Sequence, residues 1–151
     1  MKKHYSLFFA FFLMLSVGLV SCKQSETPPA PTNTDLISQL PWFFLSATAG
    51  GTDVSNTPQL ACFKDNTTTF TALGSFSINE GAIVCSPSTA GTFSWVFQSN
   101  ETQIVLSAPL FPGGSGTFNI VSLTSTSLVL SQNVTVPPSP TPVLVTFTFR
   151  H

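Results

Sequence analysis

Charged side chains are scarce in this sequence: Asp, Glu, Lys and Arg make up 7% of 151 residues, and five Lys and Arg nearly balance six Asp and Glu. A nucleic-acid binder needs a basic face to displace counterions from phosphates, so nucleic acid is excluded as a partner. Histidine is scarcer still, with only His4 and His151, one near each end. That leaves no imidazole around which a Ser-His-Asp relay or a His-based metal site could assemble. The carboxylates Asp53, Asp65, Glu80 and Glu101 each fall in a turn-forming stretch, whereas a glycosidase holds two of them across a cleft. These shortages read as a chain that is not an enzyme and takes no metal or cofactor. Three cysteines are too few for a disulfide-dense scaffold, and 42% hydrophobic with 12% aromatic residues is too apolar for a disordered chain.

The one long apolar run stands at the N-terminus, where Lys2, Lys3 and His4 precede Leu7 to Val20. As a helix it would cover about 21 Å, short of the ~30 Å hydrocarbon core, which suits the core of a signal peptide better than a membrane span. The run ends in Leu19-Val20-Ser21-Cys22, which resembles the lipobox of bacterial lipoproteins. That resemblance implies cleavage before Cys22 and acylation of its thiol and its new amine. One acyl chain holds a membrane only marginally and several hold it stably, so the mature protein is expected to be anchored in the cell envelope. Lys23 follows Cys22 where an Asp would resemble an inner-membrane retention signal, which favours the outer membrane. Lys23 to Asp35 carries three prolines and no large apolar side chain, the composition of an extended linker. The chain thus divides into a signal peptide (1–21), an acylated cysteine with its linker (22–35) and a folded domain (36–151). After cleavage Lys23, Lys64 and Arg150 face six acids, a net charge of −3.

Within the domain the apolar residues recur with period two, the signature of half-buried strands. Phe70, Phe76 and Ile78 share one face; Phe93, Trp95 and Phe97 share another; Phe118 and Ile120, Leu128 and Leu130, and Val145, Phe147 and Phe149 continue the pattern. On the first strand the choice is open, Trp42 and Phe44 against Phe43 and Leu45. Turn residues separate the runs at Gly50-Gly51, Asp65-Asn66, Asn79-Glu80-Gly81, Ser99-Asn100 and Gly113-Gly114, and only Leu36 to Leu40 suits a helical turn. The reading is all-β, an antiparallel meander of eight or nine strands from Trp42 to Arg150. Such a meander closes into a barrel or folds as a sandwich, since open edges invite aggregation.

Cys62 and Cys85 flank the hairpin of Thr68 to Ile78, and in an oxidising compartment their natural state is a disulfide. A redox or metal role would want a histidine or a third thiol beside them. An immunoglobulin-type sandwich would place its core tryptophan between the cysteines, whereas Trp95 follows both.

Trp42, then Cys62-Phe63-Lys64-Asp65-Asn66, Phe70, Gly74, Gly81, Cys85, Gly91-Thr92-Phe93 and Leu128-Val129-Leu130, behind a lipobox and a polar linker, resemble the lipocalin-like domain lipoproteins of Bacteroidota. The resemblance covers nearly the whole mature chain and implies a small up-and-down barrel. It also implies a basic side chain stacked on the first-strand tryptophan, here Trp42 with Arg150.

A barrel of about eight strands either packs solid or holds one small ligand. Phe70, Phe76, Phe93, Trp95, Phe97, Phe118, Phe147 and Phe149 are the candidate lining. They form either a cup for a small hydrophobic ligand or an interlocked core, and no polar residue stands out to orient a ligand. The alternative to a binder is a structural or interaction lipoprotein whose Ser/Thr-rich exterior meets envelope proteins or glycans. Leu110 and Phe111, in a loop rich in Pro and Gly, either lid a cavity, meet a partner or pack on the rim. Pro137 to Pro142 reads as a stiff spacer.

Overall fold

Alternation of apolar with Ser, Thr and Asn side chains builds β-structure almost throughout the computed structural model, which describes residues 28–111, 114–135 and 141–151. The expected signal peptide and Cys22 lie outside the described residues, as does most of the 137–142 segment. The described elements are α1 (Asn33–Ser38), β1 (Trp42–Ala49), β2 (Thr52–Asp53), α2 (Pro58–Ala61), β3 (Thr67–Phe70), β4 (Ser75–Asn79), β5 (Gly91–Gln98), β6 (Gln103–Leu106), β7 (Thr117–Leu123), β8 (Ser127–Val134) and β9 (Val143–Arg150).

The strands pair in the order β1-β3-β4-β5-β6-β7-β8-β9, all antiparallel, and β9 returns to β1 from Phe43↔Arg150 to Ala49↔Val145. The result is a closed eight-stranded up-and-down barrel of lipocalin-like architecture, with β2 as one extra strand on β1. The sandwich alternative is gone. Closure has a weak seam, because β1 meets β3 only at Trp42↔Thr68 and Phe43↔Thr67. The segment after β2 covers that seam: Val54 N donates to Ala47 O (2.9 Å), and Ala47 N donates to Ser55 Oγ (2.9 Å). The exposed edge that would otherwise template aggregation is thereby satisfied.

The open choice on β1 resolves through a bulge between Phe44 and Ser46. Trp42, Phe44 and then Ala47 turn inward, while Phe43 and Leu45 face out. An extra residue shifts the pleat by one, so strict alternation fails at Leu45.

Folding starts earlier than residue 36. Thr32 Oγ1 accepts from Asp35 N (3.1 Å) and Asp35 Oδ2 accepts from Thr32 N (2.9 Å), a reciprocal capping box that opens α1. Pro31 to His151 form one compact unit, so the last residues assigned to the linker belong to the domain. The helix also ends at Ser38 rather than Leu40. The signal was present as Thr32-Asn33-Thr34-Asp35, whose polar composition reads equally well as linker.

Candidate functional site

The meander puts the 71–74, 99–102 and 124–126 turns at one end of the barrel with α1, and the β4–β5, β6–β7 and β8–β9 connections at the other. Function must therefore use the α1 end, the loop end, the interior or the outer wall.

At the α1 end the helix is tied to two turns. Asn33 Nδ2 donates to Glu101 Oε2 (2.9 Å), and Gln39 Nε2 donates to Ser125 O (2.8 Å). Beneath it Trp42 is 0% exposed, and its Nε1 donates to Ile37 O (2.8 Å). Arg150, the basic side chain expected on this tryptophan, is not there, and an imidazole takes the place instead. His151 stacks on Trp42 at 3.7 Å between ring centroids, whereas Arg150 is exposed and pairs in register with the outward Phe43. Alternation along β9 explains the correction. Phe149 points in, Arg150 points out, and the next residue returns to the interior face. His151 Nδ1 lies 3.0 Å from Pro41 O, and its Nε2 lies 3.2 Å from Gln39 Nε2. Both bonds form when the neutral ring carries its proton on Nδ1 and accepts at Nε2. Beside α1 an open groove of about 370 Å³ runs past Ala72, Leu73, Trp95, Val96 and Phe97, with Leu73 97% exposed at its rim.

All eight rings assigned to the interior face it, Phe93 and Phe97 only half-buried and the other six buried. They do not line one cavity. Towards the α1 end Phe70 stacks on Phe76 (5.6 Å), Trp95 meets Phe70 and Phe97 edge-on (5.6 and 5.0 Å), and Phe76 lies against Phe93 (5.3 Å). Towards the loop end Phe118 and Phe147 meet edge-on (6.1 Å); Phe149 meets Phe44 likewise (6.1 Å) in the α1-side halves of β9 and β1. Edge-on and offset contacts of this kind add about 0.5–1.5 kcal/mol per pair beyond burial.

The loop end is closed by side chains from outside the barrel strands. Cys62 and Cys85 form a disulfide with Cα atoms 5.2 Å apart, joining the α2 segment to the β4–β5 connection. Next to it Phe63 meets Phe111 edge-on (4.9 Å). Phe111 stacks on Phe147 at 4.1 Å and 18° and meets Phe118 edge-on (6.1 Å). Leu110 and Phe111 are both buried, so their loop packs inward rather than offering apolar side chains to a partner. One void of about 10 Å³ lies there, beside Phe63, Asn66, Thr68 and Phe111. That is space for about one water molecule.

Local loops use the carboxylates. Asp65 Oδ2 accepts from Ala82 N (2.7 Å) and Ile83 N (3.0 Å). The Ser88 hydroxyl and the Thr89 N–H hold the buried Glu80 carboxyl below its usual range (2.6 and 2.8 Å). Ser55 likewise holds Asp53 below its ordinary value, and Thr32 does the same for Asp35. Among the described residues no group of three or more His, Cys, Asp and Glu is placed to hold a metal.

One interior polar group escaped the sequence reading. Gln132 follows Leu128 and Leu130 on the inward face of β8 and pairs with the inward Val145. Its Oε1 accepts from Ser115 N (3.1 Å) and Ser115 Oγ (2.7 Å), but its buried Nε2 has no partner. Period-two counting would have found it.

No protein-family model matches this chain, and no curated protein matches it. What the chain does must therefore be argued from its own geometry.

Proposed function

We propose that this chain is a lipid-anchored protein of the cell envelope, tethered at Cys22 and most at home at the outer membrane, whose barrel rests closed and filled. It resembles the lipocalin-like lipoproteins of Bacteroidota in residue order. Of the two roles weighed for such a barrel, the geometry favours the structural or interaction role. One observation carries this: among the described residues, the void found beside the interior rings Phe44, Phe111 and Phe149 is only about 10 Å³. A ligand pocket needs roughly 300 Å³ or more. In the closed state the working surface is the outer wall, where Ser, Thr and Asn stand beside the exposed Phe43, Leu45, Val96, Val121 and Leu144, a mixed face that suits contact with envelope proteins or glycans.

A second reading, capture of a small hydrophobic ligand, is favoured by one specific feature. The ring at the centre of the loop-end cluster, Phe111, comes from a loop and sits by the unpaired Gln132 Nε2.

Native mass spectrometry of the protein purified from its own cells separates the two. The expected spectrum shows the triacylated or diacylated chain alone; a copurified small molecule would overturn the closed-barrel reading in favour of the second. Cell fractionation of Cys22→Ser tests the anchor. The variant should leave the membrane fraction, and continued tight attachment would refute the tether.

A further inference from the structure

Interior side chains borne by strands cannot leave without breaking ladder hydrogen bonds, but Phe111 is borne by the β6–β7 connection. It occupies a slot made for one flat ring. Phe147 lies parallel to it at 4.1 Å, and Phe63 and Phe118 present their edges at 4.9 and 6.1 Å. Beside the slot lies Gln132, 4% exposed, with its oxygen engaged by Ser115 and its Nε2 unsatisfied. Gly114 lies close to both the amide and the ring. A Cβ on Gly114 would stand 3.2 Å from Gln132 Nε2 and 3.8 Å from Phe111 Cδ2. A buried donor with no acceptor is unfavourable by about 1–3 kcal/mol, and Phe111 has nothing at its ring edge to accept from it.

We propose that Phe111 holds the place of a planar aromatic molecule carrying a hydrogen-bond acceptor, such as a carbonyl oxygen, at its edge. The molecule enters by displacing Phe111, stacks on Phe147 and accepts from Gln132 Nε2. The proposal rests on the second reading above and adds the chemical class. Phe111 then competes with the ligand, and apparent affinity falls with the fraction of molecules in which the slot is open.

Acetophenone and ethylbenzene, near-isosteres with and without the acceptor, are the probes, titrated by isothermal calorimetry and by NMR shifts of the Phe147 ring. The wild-type chain should bind acetophenone weakly and Phe111→Ala at least tenfold more tightly. Gln132→Met removes the donor, so in the Phe111→Ala background it should weaken acetophenone roughly five- to tenfold and leave ethylbenzene unchanged. If Gln132→Met does not fold, Gln132→Leu makes the same comparison. Equal binding of both probes, insensitive to Gln132, would mean a mere hole left by truncation and would overturn the proposal. No binding by the wild-type chain would do so as well. An aliphatic lipid copurifying from cells with no acetophenone binding would keep the ligand reading and overturn the aromatic class.

Discussion

Removing the last residue tests whether the chain end is part of the fold. His151 contributes three contacts: a stack on Trp42 at 3.7 Å, a bond from Nδ1 to Pro41 O at 3.0 Å, and acceptance from Gln39 Nε2 at 3.2 Å. The stack stabilises by about 0.5–1.5 kcal/mol and the part-buried Pro41 bond by about 1 kcal/mol. The exposed Gln39 bond adds little, since Gln39 keeps Ser125 O. Ordering the side chain offsets a few tenths, leaving a loss of about 1.5–2 kcal/mol when His151 is removed. For a domain of this size that lowers Tm by roughly 5–8 °C, read by urea titration and thermal melts followed by circular dichroism. His151→Phe keeps the stack and loses the hydrogen bonds, so it should recover about half. Arg150→Ala, on the outer face, should be neutral. A truncated chain melting within about 1 °C of the parent, or Arg150→Ala more damaging than the truncation, would refute the His151 latch.

Two further measurements follow from the loop end. Cys62→Ser opens the 23-residue separation between the bridged positions and should cost about 3 kcal/mol by loop entropy, seen as a lower urea midpoint; an unchanged midpoint would deny the crosslink a stabilising role. Glu80 sits below its ordinary value of 4.5 in the fold, so its stabilisation is complete above that pH and is lost as pH falls through the lowered folded value. The stability gap between the parent and Glu80→Gln should therefore shrink between about pH 5 and pH 3, and a gap that stays constant would contradict the hydrogen-bonded carboxylate.

The barrel was legible because its signal is repetitive. Each strand from β3 to β9 carries the same alternation, and a closed sheet tolerates few other arrangements of it. The disulfide was legible for a related reason, since Cys62 and Cys85 flank one hairpin. What escaped were features set by a single residue or a register shift. The bulge at Leu45 has no composition of its own, so Trp42 and Phe44 could not be placed on the inner face by counting. Arg150 is the only Lys or Arg late in the chain, which points to it, yet one more step of the pleat carries His151 onto Trp42. Thr32 to Asp35 looked like linker because capping residues and linker residues share the same short polar side chains. Phe63 was invisible as core because no strand period reaches into loops, and for the same reason Phe111 could be read as a lid, a partner contact or rim packing, of which the last is found.

That last class has a functional consequence. Phe147 cannot leave the interior without breaking the β9 ladder on both sides, to β1 and to β8. Phe63 adjoins Cys62, whose bond to Cys85 tethers its backbone. Among the described residues, Phe111 is held by the Gly114 N bond to Phe111 O at 3.0 Å, the Ser115 bonds to Gln132, and its own burial. Burial of one phenyl ring and its stack amount to about 2–4.5 kcal/mol, within reach of what one well-fitted aromatic ligand returns on taking the same slot. No comparable exchange is open to a strand-borne ring, because the ladder bonds lost with it have no replacement in the ligand. The proposed exchange of an interior ring for a ligand therefore costs least at Phe111.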